Sequence, residues 1–188
     1  IKSSAASDVY KRQSYSGVFE GNGFSIRNLK MDNTNTEGYN HAGLFCNLRD
    51  ATIKNLAIDP SCSFIGNWSG GLSVTATGSL NVINTTNKAS VKGKEQAGGF
   101  IASMEEVVES TVHIMFSNCT YDGKVSSDEG GAAGFISDIH KNKNMIIALS
   151  GCSNSGIVYG KENSSGFIGR VSENRDLNLT FSSCKNKN

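Results

Sequence analysis

A short core of a small residue, a glycine and one or two apolar residues recurs six times, and no other feature restricts the possible folds as tightly. The copies are SGVF from Ser16, AGLF from Ala42, GGLS from Gly70, GGFI from Gly98, AGFI from Ala133 and SGFI from Ser165. Their glycines, Gly17, Gly43, Gly71, Gly99, Gly134 and Gly166, follow one another at intervals of 26, 28, 28, 35 and 32 residues. Self-similarity at such a period marks stacked repeats, in which a unit too small to bury its own apolar face leans on the next.

A second block runs in phase with the first. FSIRNLKM (Phe24 to Met31) aligns with ATIKNLAI (Ala51 to Ile58), which places Ile26 on Ile53, Asn28 on Asn55 and Leu29 on Leu56. Later copies, FSNCTYDGKV, LSGCSNSGIV and FSSCKNKN, bring Cys119, Cys152 and Cys184 into one column, with Thr85 at the same place. Gly123 matches Gly156, and Val91, Val125 and Val158 form another column. Alternating apolar residues precede each of these cysteines: Val112, Ile114 and Phe116; Met145, Ile147 and Leu149; Leu177, Leu179 and Phe181. Period-2 alternation puts each trio on one strand face. Abundant glycine, asparagine, serine and threonine with a single proline breaks helices and supplies turns. The expected fold is all-β, a right-handed parallel β-solenoid with about 26–35 residues per coil and a rise of about 4.8 Å per coil. Glycines are expected where the chain turns with positive φ or meets another backbone closely. A β-propeller or a two-sheet sandwich is the alternative, although these units are short for a propeller blade, which usually needs about 40–50 residues.

Residues 1–13 stand apart. SSAASDVYKRQ, Ser3 to Gln13, has no alternation and no likeness to the repeats, and it reads back through the genetic code as a transposase-type sequencing adapter. This segment is taken as non-native and disordered, and residues 14–188 as a solenoid domain truncated at both ends. The segments ASMEEVVEST, SDIHKNKN and VSENRDLN, which follow the later cores, are expected to be polar loops on one side of the coil.

GVFEGNGFSIRNL, then AGLF, ATIKNLAI and GGL, resembles the GLUG-repeat proteins, with Phe100, Phe135 and Phe167 where that family usually has leucine. The resemblance implies a non-catalytic module of an extracellular or surface-attached protein, often adhesin-like, sometimes on the same chain as an IgA-type metallopeptidase.

The net charge of +1 argues against a dedicated nucleic-acid or membrane-surface binder. No apolar run approaches the roughly 20 residues of a membrane span. Five cysteines with no CxxC spacing, and three histidines outside any HExxH pattern, give no expected metal or cofactor site. The Cys119–Cys152–Cys184 column is expected to pack inward as free thiols, because parallel in-register side chains point the same way. Asp138 and His140, in SDIH, are read as a solvated loop pair. Asp122 aligns with Lys88, Ser155 and Lys187, so no acidic ladder forms, and the loop acids Glu105, Glu106, Glu109, Asp128, Glu129, Glu173 and Asp176 show no convergence on a groove. No catalytic residue is assigned.

Trp68, Tyr121 and Tyr159 are the candidate exposed aromatics for stacking on a sugar. The expected role is a scaffold or adhesin stalk presenting loops and flat ladder faces to a glycan or to a host or self surface protein. Self-association through uncapped coil ends is expected as well. The alternative is a parallel β-helix polysaccharide lyase or hydrolase, which would need two carboxylates about 5–10 Å apart across a groove.

Overall fold

The computed structural model describes residues 14–35, 40–104 and 111–187. The adapter-like segment and the acids Glu105, Glu106 and Glu109 lie outside the described residues. The fold is all-β, with every strand pairing parallel, in a β-solenoid of about five turns. Partners on adjacent coils are separated by 27 residues at the shortest (Ser63 with Ser90) and 35 at the longest (Gly98 with Ala133).

One side of each coil carries the apolar alternation. Val112–Ser117 pairs with Lys143–Ser150, Ile114 against Ile147 and Phe116 against Leu149, and Lys143–Ser150 pairs with Arg175–Ser182. The inward residues Val112, Ile114, Phe116, Met145, Ile147 and Leu149 are buried. Phe181, the matching residue on the last strand of this row, is covered from one side and is 45% exposed.

At the end of this side the backbone enters the left-handed region at the same place in coil after coil. Asn55, Asn84, Asn118, Gly151 and Ser183 have φ of 53°, 47°, 53°, 62° and 53°. Asparagine and glycine tolerate this conformation best, because a short polar side chain or none avoids the clash of Cβ with the next carbonyl. The corner asparagines also join along the axis: Asn84 Nδ2 donates to Asn55 Oδ1 (3.3 Å), and Asn55 Nδ2 to Glu20 Oε1 (2.9 Å).

Directly after the corner comes the thiol column. Cys119 and Cys152 are buried and Cys184 half-buried, all with free thiols. Each sulfur donates to the carbonyl two residues back, at 3.4 Å, as Thr85 Oγ1 does to Ile83 at 3.0 Å. The Cys152 thiol beside it, together with burial, holds the Cys119 thiol far above its ordinary pKa, so it stays protonated.

The next side is a sheet of two-residue strands, Ser25–Ile26, Ala57–Ile58, Thr86–Asn87, Thr120–Tyr121, Ser153–Asn154 and Lys185–Asn186. Its inward column runs Ile26, Ile58, Asn87, Tyr121, Asn154, Asn186. Tyr121 is therefore not an outer platform: it is fully buried and gives its hydroxyl to the Ala89 carbonyl at 3.3 Å. The repeat glycines across the coil make the room. A Cβ on Gly99 would meet the Tyr121 ring at 2.5 Å, and one on Gly134 would meet Asn154 Oδ1 at 2.7 Å. These glycines do not have positive φ; they are required by close approach. Burying a tyrosine also keeps its phenol protonated, pushing its pKa upward.

Two of the six cores stack differently from the alignment. Gly17 pairs with Ala51 rather than Gly43, so SGVF lies on the ATIK strand, and Ile26 lies on Ile58 rather than Ile53. Gly43 pairs with Gly70, one residue before Gly71, and a bulge then restores Phe45 to the level of Ser73. Register follows the inward apolar column, Phe19 on Ile53, which a short glycine motif does not specify.

The expected loops after the later cores begin as strands. Ile101–Met104, Ile136–His140 and Ile168–Ser172 pair in parallel to form a further side of the coil. Phe100, Phe135 and Phe167 stack beneath it along the axis, at ring separations of 4.8 and 5.1 Å, and Phe116 meets Phe100 and Phe135 edge-on at 5.4 Å each.

Candidate functional site

Between the side carrying Trp68, Glu95 and Gln96 and the side carrying Ser103 and Asp138, the coil folds into a concave angle. Small residues allow the bend: a Cβ on Gly98 would strike the Ile101 carbonyl. The angle holds a groove of about 350 Å³, lined by those five residues with Met104, His140, Lys141 and Arg170.

Its polar floor follows from register. Thr75, Ser103, Asp138 and Arg170 occupy one column on consecutive coils. Asp138 is buried, and Arg170 answers it with a two-pronged pair, Nε to Oδ1 and Nη2 to Oδ2, both 2.7 Å. The carboxylate in turn holds the Arg170 guanidinium above its already high pKa. Asp138 and His140 are thus strand residues rather than a solvated loop pair: the ladder to the adjacent coils holds their backbone, and the arginine one coil away answers the buried Asp138 carboxylate. His140 Nδ1 lies 2.9 Å from Ser172 Oγ.

The opposite wall is built on Trp68. Its indole stacks on His41 (5.2 Å between centroids, 20° between planes), and its Nε1 donates to Glu95 Oε2 at 2.9 Å. Asn67 Nδ2 donates to Glu95 Oε1 at 3.1 Å. The Trp68 indole, helped by the Asn67 amide, holds the Glu95 carboxyl below its ordinary pKa, so it is ionised at neutral pH. Gln96 uses its carbonyl to accept from Ser137 Oγ (2.8 Å).

The structure separates the three candidate aromatics. Trp68 lines the groove; Tyr121 is in the core; Tyr159, 69% exposed, stands in the column of Ile65, Lys92 and Ser126, remote from Trp68 in register. Of the acids expected in loops, Asp128 and Glu129 pair with Lys92 (2.9 Å) and Lys94 (3.6 Å) on the surface. Asp122 sits in a column of alternating sign, 3.4 Å from Lys88 and accepting from Ser155 at 2.8 Å. Glu95 and Asp138 are the carboxylates that line the groove. Sequence reasoning missed Glu95, because its partners are 27 and 28 residues away. Among the described residues no cluster of three histidine, cysteine or acidic side chains could hold a metal ion, and no helix is long and apolar enough to cross a membrane.

No known family model matches the chain. Over 94 residues, 49% of the chain, it is 34% identical to halomucin of Haloquadratum walsbyi, a match that spans 1% of halomucin. The solenoid is similar to the crystal structure of a putative immunoglobulin A1 protease from Bacteroides ovatus, with a TM-score of 0.53 at 16% identity over 89% of this chain and 59% of that one. The second likeness is one of fold, and the chain spans only a small fraction of the first relative.

Proposed function

We propose that the chain is a non-catalytic solenoid module of a larger extracellular protein of GLUG-repeat type, a stalk that offers its groove and ladder faces to a glycan or protein partner. The similarity of half the chain to halomucin, and of the fold to the Bacteroides ovatus protein, supports this reading. The observation that carries it is the state of the groove carboxylates. Both Asp138 oxygens are taken by the Arg170 fork, and Glu95 is fixed by an indole and an amide. A general acid needs a raised pKa, whereas the contacts of Glu95 act in the opposite direction.

A second reading, a β-helix carbohydrate-active enzyme, is favoured by one fact, that two carboxylates line the same groove. The two readings separate in a simple assay. Incubated with soluble glucans, mannans, xylans and polyuronates, the 188-residue chain is expected to release neither new reducing ends nor unsaturated products. Turnover lost in Glu95→Gln would replace the module with the enzyme.

Self-association belongs to the same proposal, with a second copy of the chain as partner. Among the described residues Ser14–Glu20 and Arg175–Ser182 are each paired on one side, and Val18 and Phe24 are 61% and 75% exposed. Open strand edges beside exposed apolar side chains template further pairing. Sedimentation velocity is expected to show oligomers that grow with concentration; a single monomer species from micromolar to millimolar protein would contradict this.

A further inference from the structure

We infer that the groove beside Trp68 binds an uncharged carbohydrate chain, with the indole as its stacking platform. The inference rests on the module reading above and names the ligand class and the site. At about 350 Å³ the groove falls near the lower end of the roughly 300–1,000 Å³ typical of small-ligand sites.

The lining narrows the choice of ligand. Trp68 is pre-set, since His41 supports the ring by stacking and Glu95 fixes its nitrogen. A rigid, partly buried aromatic that still lines the groove contributes contact area at low entropic cost. Around it the groove is furnished with hydrogen-bonding groups: the Ser103 hydroxyl, the Gln96 amide, the His140 imidazole and the Arg170 guanidinium. The other apolar lining residue, Met104, is 1% exposed and leaves no pocket for an apolar anchor. A ligand that matches must present one apolar face and many hydroxyls, which is the surface of a sugar ring.

Peptides fit less well. The strands that form the walls are paired on both sides, Ser90–Gly98 at Gln96 by Ser63–Ala76 and Gly131–Ala133, and Ile136–His140 by Ile101–Met104 and Ile168–Ser172. No open edge therefore remains in the groove for an added peptide strand.

Charge narrows the choice further. Arg170 and Asp138 neutralise one another at 2.7 Å, Lys141 lies 3.9 Å from Glu173, and Glu95 already holds two donors. The charge these pairs leave is that of Glu95, whose indole and amide donors are neutral. It repels a uronate or a sulfate, and its two oxygens are already engaged by Trp68 and Asn67 rather than presented to an amino sugar, so the ligand is neutral.

The test uses the full chain against immobilised neutral gluco-, manno-, galacto- and xylo-oligosaccharides, with uronate and sulfated glycans and a peptide library alongside. Neutral oligosaccharides are expected to bind. Trp68→Ala should weaken that binding by about tenfold or more, as loss of a central aromatic contact does, and Trp68→Phe should restore most of it. If Trp68→Ala fails to fold by circular dichroism, Gln96→Ala serves in its place and should weaken binding several-fold. Binding confined to charged glycans or to peptides overturns the inference, as does no binding at all, or neutral binding untouched by Trp68→Ala or Gln96→Ala. Those results leave a non-catalytic module standing, whereas cleavage of the bound glycan removes the module reading itself.

Discussion

Replacing Phe135 with alanine is expected to cost about 3–5 kcal/mol of folding stability, the largest effect of any single truncation in the chain. Phe135 is fully buried and touches three other rings: Phe100 at 4.8 Å, Phe167 at 5.1 Å and Phe116 at 5.4 Å. Two of those contacts run along the axis to adjacent coils and the third crosses the coil interior. The cavity left behind would be walled by strands paired on both sides, which cannot move inward to fill it. Urea denaturation followed by far-UV circular dichroism measures the loss. Phe181→Ala gives the internal comparison: with its ring 45% exposed, it should lose much less. Equal losses at the two positions would mean that the phenylalanine stack is not the centre of the core.

The second large effect is expected at Gly99. A Cβ there would drive into the Gly134 carbonyl on the next coil and meet the Tyr121 ring at 2.5 Å. Overpacking of this kind costs about 1–3 kcal/mol, sometimes more, and here one obstacle is backbone, which cannot turn aside. Gly99→Ala should therefore lower the melting temperature clearly, and trimming Tyr121 to serine in the same chain should not restore it. Gly131→Ala is the control, since its nearest neighbour would be the flexible Gln96 Oε1 at 3.2 Å. A stable Gly99→Ala chain would show that the coils at this point have room to separate.

The sequence carries most of this architecture and little of the site. The parallel stack, the cysteine column and the alternating strands are legible because each is a long-range copy of the same short pattern. The first coil is misleading, since SGVF repeats the look of the later cores while its Phe19 belongs on Ile53. The inward direction of Tyr121 is hidden because a two-residue strand offers no alternation from which to judge a face. What decides that direction is space, supplied by Gly99 on one side and Gly156 on the other. The pairing of a large residue with small ones across the coil is the available signal. The groove itself joins Trp68, Glu95 and Asp138, which only register brings together. Nothing local to any of them marks Asp138 as buried until Arg170 is seen one coil later.

The uniform direction of the strands has a mechanical consequence. Every ladder hydrogen bond points along the axis, so a pull on the two ends of the stack loads the coils in series. The rows would peel away singly from an edge, rather than shearing together. Each released coil of 27 to 35 residues would lengthen the tether by on the order of 100 Å. A stalk built this way yields in steps under tension, and the coils still stacked keep whatever they hold.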